Sequence, residues 1–292
     1  MTIRVLLWRF GAIGRQLADQ LRPERESGAM HLTAVVRDVE AHRERGDHGV
    51  DLRPGVTNVD WQAALDDVDL VVECAGVSPA RQRGPDVIGS GRVLVLASVG
   101  ALADPDTARA LLSGPGRLWV THGAIGGFDV LASAAEAGGL DTVRIRTRKL
   151  ASSLIRPWMD TEQTQQLRRL APGEDPVTVF SGHPAEAIEL FPGNVNVAVA
   201  LAWATRGGFP GDDVEQLAAS LQRVEVELLA DPDAELSTHE MSASGPAGRL
   251  MFSFESAPSP ENPKTSGLTA LSVAHTLRIA LDQRRSVTET NS

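Results

Sequence analysis

The chain has 292 residues and a formal net charge of −10, with 42% hydrophobic and 23% charged residues, a balance typical of a soluble globular protein. The acidic charge argues against a general nucleic-acid binder, which needs a basic face for phosphates. The single cysteine, Cys74, excludes an intramolecular disulfide, and no histidine and cysteine cluster has the spacing of zinc ligands. No segment supplies the roughly 20 apolar residues of a membrane span. We therefore expect a cytoplasmic protein of two domains, with no metal, nucleic-acid or membrane partner.

The first 120 residues alternate apolar strand-like runs with helical or loop segments. The predicted strands are 3–8, 32–36, 70–74 and 93–97, and the first predicted helix is 16–21. Strands that alternate with helices pair in parallel through right-handed crossovers. This part of the chain therefore predicts an α/β fold with a Rossmann-type doubly wound parallel sheet.

The pattern changes after about Val120 to short β-rich runs mixed with helices. The predicted strands are 143–147, 177–181, 224–229 and 250–254, and the predicted helices are 128–137, 196–204 and 268–281. The mixture indicates a second, α+β domain with a largely antiparallel sheet. We expect a dinucleotide-binding domain at 1–121, completed by the C-terminal helix 267–292, and a catalytic and dimerisation domain at 122–266.

The first strand leads into the sequence RFGAIG, which resembles the glycine-rich turn G-x-G-x-x-G of dinucleotide-binding proteins. In that turn, glycines permit the sharp bend, the approach of pyrophosphate and the packing of helix on strand. Here Arg9 replaces the first glycine, and Gly11 and Gly14 keep the other two. An ordinary strand-to-helix turn is the alternative, but the following βα pattern favours a nucleotide site formed by Arg9, Gly11, Ala12, Ile13 and Gly14. The Arg9 guanidinium either assists phosphate binding at the helix N-terminus or weakens cofactor binding.

The choice between NAD and NADP depends on the residues after the second strand. An acidic residue there binds the ribose hydroxyls of NAD, whereas arginine favours the extra phosphate of NADP. The chain has both, Arg37 followed by Asp38, so both cofactors stay open, with a slight preference for NADP. Two further loops follow apolar strands at the ligand-binding edge of the sheet. They add Cys74, Ala75, Gly76, Ser98 and Val99 to the predicted cofactor contacts.

Five stretches share their order and spacing with one family. They are HGAIGGFDVL (122–131), RKLA (148–151), LFPGNVNVAVA (190–200), LLADPDAELSTHEMSASG (228–245) and ENPKTS (261–266). Together with VECAG and SVGAL, they resemble the L-aspartate dehydrogenases over nearly the whole chain. The resemblance implies NAD(P)-dependent oxidation of L-aspartate to iminoaspartate, which water converts to oxaloacetate and ammonia, or the reverse reaction. It also implies a homodimer, a catalytic His239, and Ala124, Asn194 and Asn196 near the nicotinamide.

The residue types support this interpretation independently. Oxidation of an amine to an imine needs a proton acceptor, and imine hydrolysis needs an acid or base, both of which suit the imidazole of His239. A dicarboxylate needs fixed cations, and this chain has 26 arginines but only two lysines, Lys149 and Lys264, both in matched motifs. Lys264, Thr265 and Ser266, predicted to open the last helix, would hold a carboxylate. The alternative is that Thr265 or Ser266 only caps that helix.

Two substitutions near the predicted site depart from the family pattern. His122 stands before GAIGG where a small residue is usual and is therefore a candidate substrate contact, and Ser237 stands where an asparagine is expected. Together with Arg9, these departures leave two alternatives open. One is a reductive aminase or imine reductase for a related small acid, and the other is a non-catalytic nucleotide-sensing or scaffold protein.

Overall fold

The computed structural model describes residues 2–46, 48–55, 57–207 and 213–290, with the backbone alone at 263–264 and 285–290. The strands are β1 (Ile3–Trp8), β2 (Met30–Val36), β3 (Asp51–Pro54), β4 (Leu70–Glu73), β5 (Val93–Leu96), β6 (Arg117–Val120), β7 (Thr142–Leu150), β8 (Val177–Gly182), β9 (Val224–Asp231), β10 (Ser237–Gly245), β11 (Gly248–Ser256), β12 (Pro258–Ser259) and β13 (Asn262–Ser266). The α-helices are α1 (Ala12–Gln20), α2 (Arg22–Glu26), α3 (Val39–Glu44), α4 (Asn58–Asp66), α5 (Val77–Gly89), α6 (Pro105–Ser113), α7 (Phe128–Glu136), α8 (Thr161–Arg169), α9 (Pro184–Leu190), α10 (Asn196–Ala204), α11 (Asp213–Arg223) and α12 (Leu268–Thr290). Short 3₁₀ helices cover Val99–Ala103 and Ala151–Leu154.

The chain forms two compact units, and the first comprises residues 1–101, 106–121 and 269–292. Its six strands pair in parallel in the order β3-β2-β1-β4-β5-β6. The strands are short, continuous apolar runs because both faces of such a sheet are covered. The strand order reverses between β1 and β4, which places the ligand-binding crevice of this fold at the carboxyl ends of these two strands. The predicted α/β, doubly wound class is confirmed.

One face of this sheet forms a hydrophobic core together with side chains of α1 and α12. Val5 and Leu7 of β1 are fully buried there, together with Leu17 of α1 and Val273 and Leu277 of α12. Each fully buried aliphatic side chain contributes about 1.5–3 kcal/mol relative to an exposed one. The last helix is therefore part of the hydrophobic core of the nucleotide-binding sheet.

The second unit comprises residues 102–105 and 122–268 and contains a five-stranded sheet in the order β11-β10-β7-β9-β8. Three of its four pairings are antiparallel and the β7–β9 pairing is parallel, so the predicted largely antiparallel sheet is confirmed. β7 alternates between a buried face with Val143 and Ile145 and an exposed face with Arg144 and Arg146. The apolar helix α10 packs against β9 within this unit.

Most predicted elements are present, with three differences. The boundaries of β1 and α10 agree with the prediction, whereas α1 begins at Ala12 rather than at residue 16. The sequence did not predict β3, β6, β10, β12 or β13. Thr265 and Ser266 lie on β13, and α12 starts after them at Leu268. Within the described part of the chain, no helix combines the length and apolar character needed to cross a membrane.

Candidate active site

The turn between β1 and α1 holds Arg9 in a conformation that suits glycine. Its φ of 81° lies in the left-handed region, which costs an ordinary residue about 1–2 kcal/mol. A Cβ at Gly14 would stand 2.8 Å from the Arg9 carbonyl oxygen, so helix α1 can approach the turn only because residue 14 is glycine. The two remaining fingerprint glycines thus fold a dinucleotide-type turn around an arginine.

A cavity of about 500 Å³ opens over this turn within the first unit. It is lined by Arg9 and Gly11 of the turn, by residues at the end of β2, and by Ala75 after β4. Gly11 is the N-cap of α1, no side chain caps that helix end, and no acidic residue occupies its first turn. Since uncapped helix N–H groups bind anions, these residues fit the diphosphate of a dinucleotide cofactor.

Five arginines line the cavity in a protein that is acidic overall, and none of the lining residues is an aspartate or glutamate. The five are Arg9, Arg15, Arg37, Arg45 and Arg83. Within the described ranges, Arg37 and Arg45 form no ion pair with a carboxylate. The carboxylate of Asp38 accepts from the backbone N–H of Ala41 at 3.0 Å and caps α3. The Asp38 carboxylate therefore has a structural role as the cap of α3.

The loops after β4 and β5 are joined by Glu73, a fully buried carboxylate at the end of β4. Its two oxygens accept from the backbone N–H groups of Ala75, Gly76 and Ser98 at 2.5, 2.9 and 2.8 Å, and from the Ser98 hydroxyl at 3.0 Å. Burial raises the pKa of Glu73, although these donors oppose the increase. Burial also raises the pKa of the neighbouring Cys74 thiol, with a further contribution from the Glu73 charge, so Cys74 is not a reactive thiolate. Val99, buried at the start of the 3₁₀ helix, completes the predicted contacts of this edge.

The second unit brings His239, Thr147 and Lys149 together on the covered face of its sheet. His239 of β10 lies directly opposite Thr147 of β7, and the Thr147 hydroxyl and His239 Nδ1 are 2.9 Å apart. Lys149 follows Thr147 by two residues and therefore projects from the same face. The loop between α9 and α10 contributes Asn194, whose Oδ1 accepts from the Lys149 ammonium at 3.5 Å.

The Lys149 ammonium is buried without an opposite charge. The side chain is 8% exposed, and no carboxylate of the described residues lies within ion-pair distance of it. Burial, together with the charge of the nearby Arg156 guanidinium, lowers the pKa of Lys149 to about 8. The Asn194 amide is also buried, and its Nδ2 has no hydrogen-bond partner among the described residues. Both groups can donate to an anion.

The imidazole of His239 is neutral in this environment. His239 is 2% exposed, and burial, assisted by the charge of Lys149, lowers its pKa to about 3. An exposed histidine has a pKa near 6.5. Burial of His239 accounts for the difference between that value and its lowered pKa. A neutral imidazole has a lone pair that can accept a proton.

The other predicted residues of this unit occupy nearby turns. His122 Nδ1 lies 2.7 Å from the Ile125 carbonyl oxygen and shapes the HGAIGG turn, in which Ala124 is buried. The Asn196 amide donates to the Pro192 carbonyl at 3.4 Å at the start of α10. The Ser266 hydroxyl accepts from the N–H of Leu268, and Thr265 accepts from Asn262. The side chain of Lys264 lies outside the described residues.

Four residues of these two sites were not predicted from the sequence. Thr147 and Arg156 contact or approach the buried lysine and histidine, Glu73 joins two loops, and Arg45 lines the cavity. The alternation of Val143, Ile145, Thr147 and Lys149 along β7 is the signal that places the last two side chains on the buried face. No sequence pattern marks Arg45 among so many arginines.

The nucleotide-binding fold, the arginine-lined cavity and the buried lysine, histidine and amide define a dinucleotide-dependent oxidoreductase. The family model "Aspartate dehydrogenase, C-terminal" matches residues 129–280, and the model "Homoserine dehydrogenase, NAD binding domain" matches residues 10–114. The chain belongs to the L-aspartate dehydrogenase family.

Individual relatives agree with this assignment. The chain is 39% identical to the L-aspartate dehydrogenase of Ruegeria pomeroyi over 219 residues, which cover 72% of this chain and 71% of that protein. It is 32% identical to the L-aspartate dehydrogenase of Brucella anthropi over 279 residues, 94% of both chains. The crystal structure of aspartate dehydrogenase from Thermotoga maritima has the same fold, with a TM-score of 0.65 and 23% identity over 96% of both chains.

Proposed function

We propose that the protein catalyses the NADP-dependent oxidative deamination of L-aspartate, or the reverse reductive amination of oxaloacetate. Family membership supports the reaction class. The observation that carries the substrate assignment is the buried Lys149 ammonium beside the buried Nδ2 of Asn194, which has no hydrogen-bond partner among the described residues.

The chemistry of Lys149 and Asn194 favours a carboxylate substrate. A buried charge without a partner is costly, and a substrate carboxylate would offset that cost while accepting from both groups. Thr265, Ser266 and Lys264 are candidates for the second carboxylate, and His122 for a contact at the edge of the pocket. The carboxylates of the substrate would thus supply the negative charge that the protein lacks at this point.

His239 is proposed as the proton acceptor. The cofactor would accept a hydride from the α-carbon, and the protein must take the proton that the amino group releases as the imine forms. The neutral imidazole of His239 accepts that proton, with the Thr147 hydroxyl fixing the ring. Addition of water to the imine then releases ammonia and leaves oxaloacetate. Ala124, Asn194 and Asn196 are the proposed contacts of the nicotinamide end.

The first unit is proposed as the cofactor domain and the second as the catalytic and dimerisation domain. The exposed face of the second unit's sheet supports a homodimer of 31.1 kDa subunits. Along this face, Arg144 pairs with Glu225 and Arg146 with Glu227, and Met251 is 77% exposed. A second copy of this chain would cover Met251. Light scattering of the eluted protein measures the mass that this arrangement requires.

The activity is tested by mixing the protein with L-aspartate and NADP and following the absorbance of reduced cofactor. We expect turnover with L-aspartate and none with L-alanine, which lacks the second carboxylate. Turnover only with another amino or keto acid would favour the imine reductase alternative. Cofactor binding without any turnover would favour a nucleotide sensor.

The preference for NADP depends on Arg37. Replacing Arg37 with Ala is expected to weaken NADP binding by about tenfold or more, since a charge-assisted contact to phosphate contributes about 1.5–3 kcal/mol. NAD binding should change little, because NAD lacks the 2′-phosphate. Calorimetric titration of both cofactors into wild type and variant measures this ratio. Equal losses for the two cofactors would contradict the assignment of Arg37 to the 2′-phosphate.

A further inference from the structure

Arg9 has a role that its position in the turn does not explain by itself. It is one of two non-glycine residues with positive φ in the described ranges, at 81°. Such strain persists where the surroundings impose it and is concentrated at functional sites. A glycine would adopt this conformation without cost, so the arginine side chain must provide something that glycine cannot.

The side chain of Arg9 crosses from one cofactor loop to the next. Its Nη1 donates to the carbonyl oxygen of Ala75 at 2.9 Å, joining the turn after β1 to the loop after β4. These two strands are neighbours in the sheet, and the sheet order reverses between them. The guanidinium is thereby fixed at the wall of the 500 Å³ cavity.

Most of the donor capacity of Arg9 is still available. A guanidinium has five N–H donors, and the Arg9 guanidinium makes one hydrogen bond, to the Ala75 carbonyl oxygen, among the described residues. No ion pair with a described carboxylate neutralises it. The uncapped start of α1 at Gly11 lines the same cavity, so both cationic features face one space.

We propose that Arg9 binds the diphosphate of the dinucleotide, holding Ala75 with one N–H and donating the others to phosphate oxygens. The inference rests on the proposed cofactor dependence. It assigns to Arg9 a phosphate contact that compensates for the missing first glycine of the turn. Arg37 and Arg45, at the β2 and α3 side of the cavity, are left to bind the 2′-phosphate. Arg9 therefore acts on NAD and NADP alike.

The test compares three variants by calorimetric titration. Arg9→Gly removes both the charge and the strain, Arg9→Lys keeps the charge and loses the planar fork, and Arg109→Gln removes an equal charge at a remote position on α6. The ligands are NADP, NAD, ADP-ribose, which has the diphosphate and no nicotinamide, and 2′-AMP, which has the 2′-phosphate and no diphosphate. Thermal unfolding of each protein without ligand reports the strain.

For Arg9→Gly we expect the dissociation constants of NADP, NAD and ADP-ribose to rise by a common factor of about ten. Binding of 2′-AMP should stay unchanged, and the melting temperature should be equal or higher. Arg9→Lys should lie between the wild type and Arg9→Gly, and Arg109→Gln should bind as wild type does.

Three results would overturn the inference. Unchanged or tighter binding of ADP-ribose to Arg9→Gly would show that Arg9 does not bind the diphosphate or obstructs it. A loss confined to NADP and 2′-AMP would move Arg9 to the 2′-phosphate. Failure of the wild-type protein to bind any of the dinucleotides or ADP-ribose would refute the proposed function as well. If the wild type binds them and Arg9→Gly binds them equally well, this inference alone is refuted.

Discussion

Replacing His239 with Ala is expected to lower kcat for aspartate oxidation by about a hundredfold or more, the usual contribution of a general base. The reason is that the neutral His239 imidazole lies against the Thr147 hydroxyl on the covered face of β7, where it can accept the proton. Steady-state kinetics give the size of the loss. Calorimetric binding of succinate, a dicarboxylate without an amino group, should persist in this variant and shows that the pocket is intact.

The pH dependence separates a buried histidine from an exposed one. Because its pKa is lowered to about 3, His239 in the free enzyme is already neutral well below pH 6.5 and stays so as the pH rises. The profile of kcat/KM, which reports groups of the free enzyme, should therefore show no inflection from His239 near 6.5. An inflection near 6.5 that disappears in His239→Ala would contradict this environment, and an unchanged kcat in that variant would remove His239 from the mechanism.

Thr147 provides the matched control for His239. Thr147→Val keeps the shape of the side chain and removes the hydroxyl that meets Nδ1. If Thr147 only orients the ring, kcat should fall less than in His239→Ala, and KM should change little. A loss as large as that of His239→Ala would mean that the hydroxyl itself takes part in proton transfer.

The sequence predicts the fold well where burial is continuous and less well where it is not. β1 and α10 are apolar except for Arg4 and Asn196, so their boundaries are clear from composition alone. β10, with the sequence STHEMSASG, carries His239 but contains mostly small or polar residues, and no predicted strand covers it. Its signal is the alternation of buried His239, Met241 and Ala243, which is weak because only one of these three is a large apolar side chain.

The sites show the same limit. Motif resemblance names His239, Lys149 and Asn194, but the lowered pKa values of the histidine and the lysine arise from packing in three dimensions. The sequence alone likewise does not decide whether Arg37 or Asp38 contacts the cofactor. The structure shows that the Asp38 carboxylate caps α3, a role for which aspartate is among the preferred residues. A helix predicted to begin at Val39 would have revealed that cap.

The Lys149 ammonium is expected to control dicarboxylate affinity. Lys149→Met keeps the length and apolar character of the side chain but removes the charge, so the inhibition constant of succinate should rise by about tenfold or more. The wild-type constant should itself rise above pH 8, because free Lys149 loses its proton near that pH, whereas the variant should show no such change. Competition against L-aspartate across pH 6–9.5 measures both constants.

Arg148→Met is the control for Lys149→Met, since Arg148 is the next residue of β7, on the opposite face, and is 40% exposed beside Asp231. The succinate inhibition constant of Arg148→Met, and its change with pH, should be the same as in wild type. Wild-type succinate binding by Lys149→Met, or an equal loss in both variants, would show that Lys149 does not hold the carboxylate.

The same charge should cost stability when no substrate is bound. The pKa of Lys149 is about 8 in the folded protein and 10.5 as the reference value, so the unfolded chain binds more protons between these values and stability rises with pH there. Below pH 8 the full cost is present. Lys149→Met should then be more stable than wild type at pH 7, by a free energy of unfolding on the order of 2 kcal/mol, and should unfold at a higher temperature. This gain in stability should shrink as the pH approaches 10. A gain in stability accompanied by a loss of succinate binding would identify the buried ammonium as a group retained for the substrate, whereas a loss of both would identify it as structural.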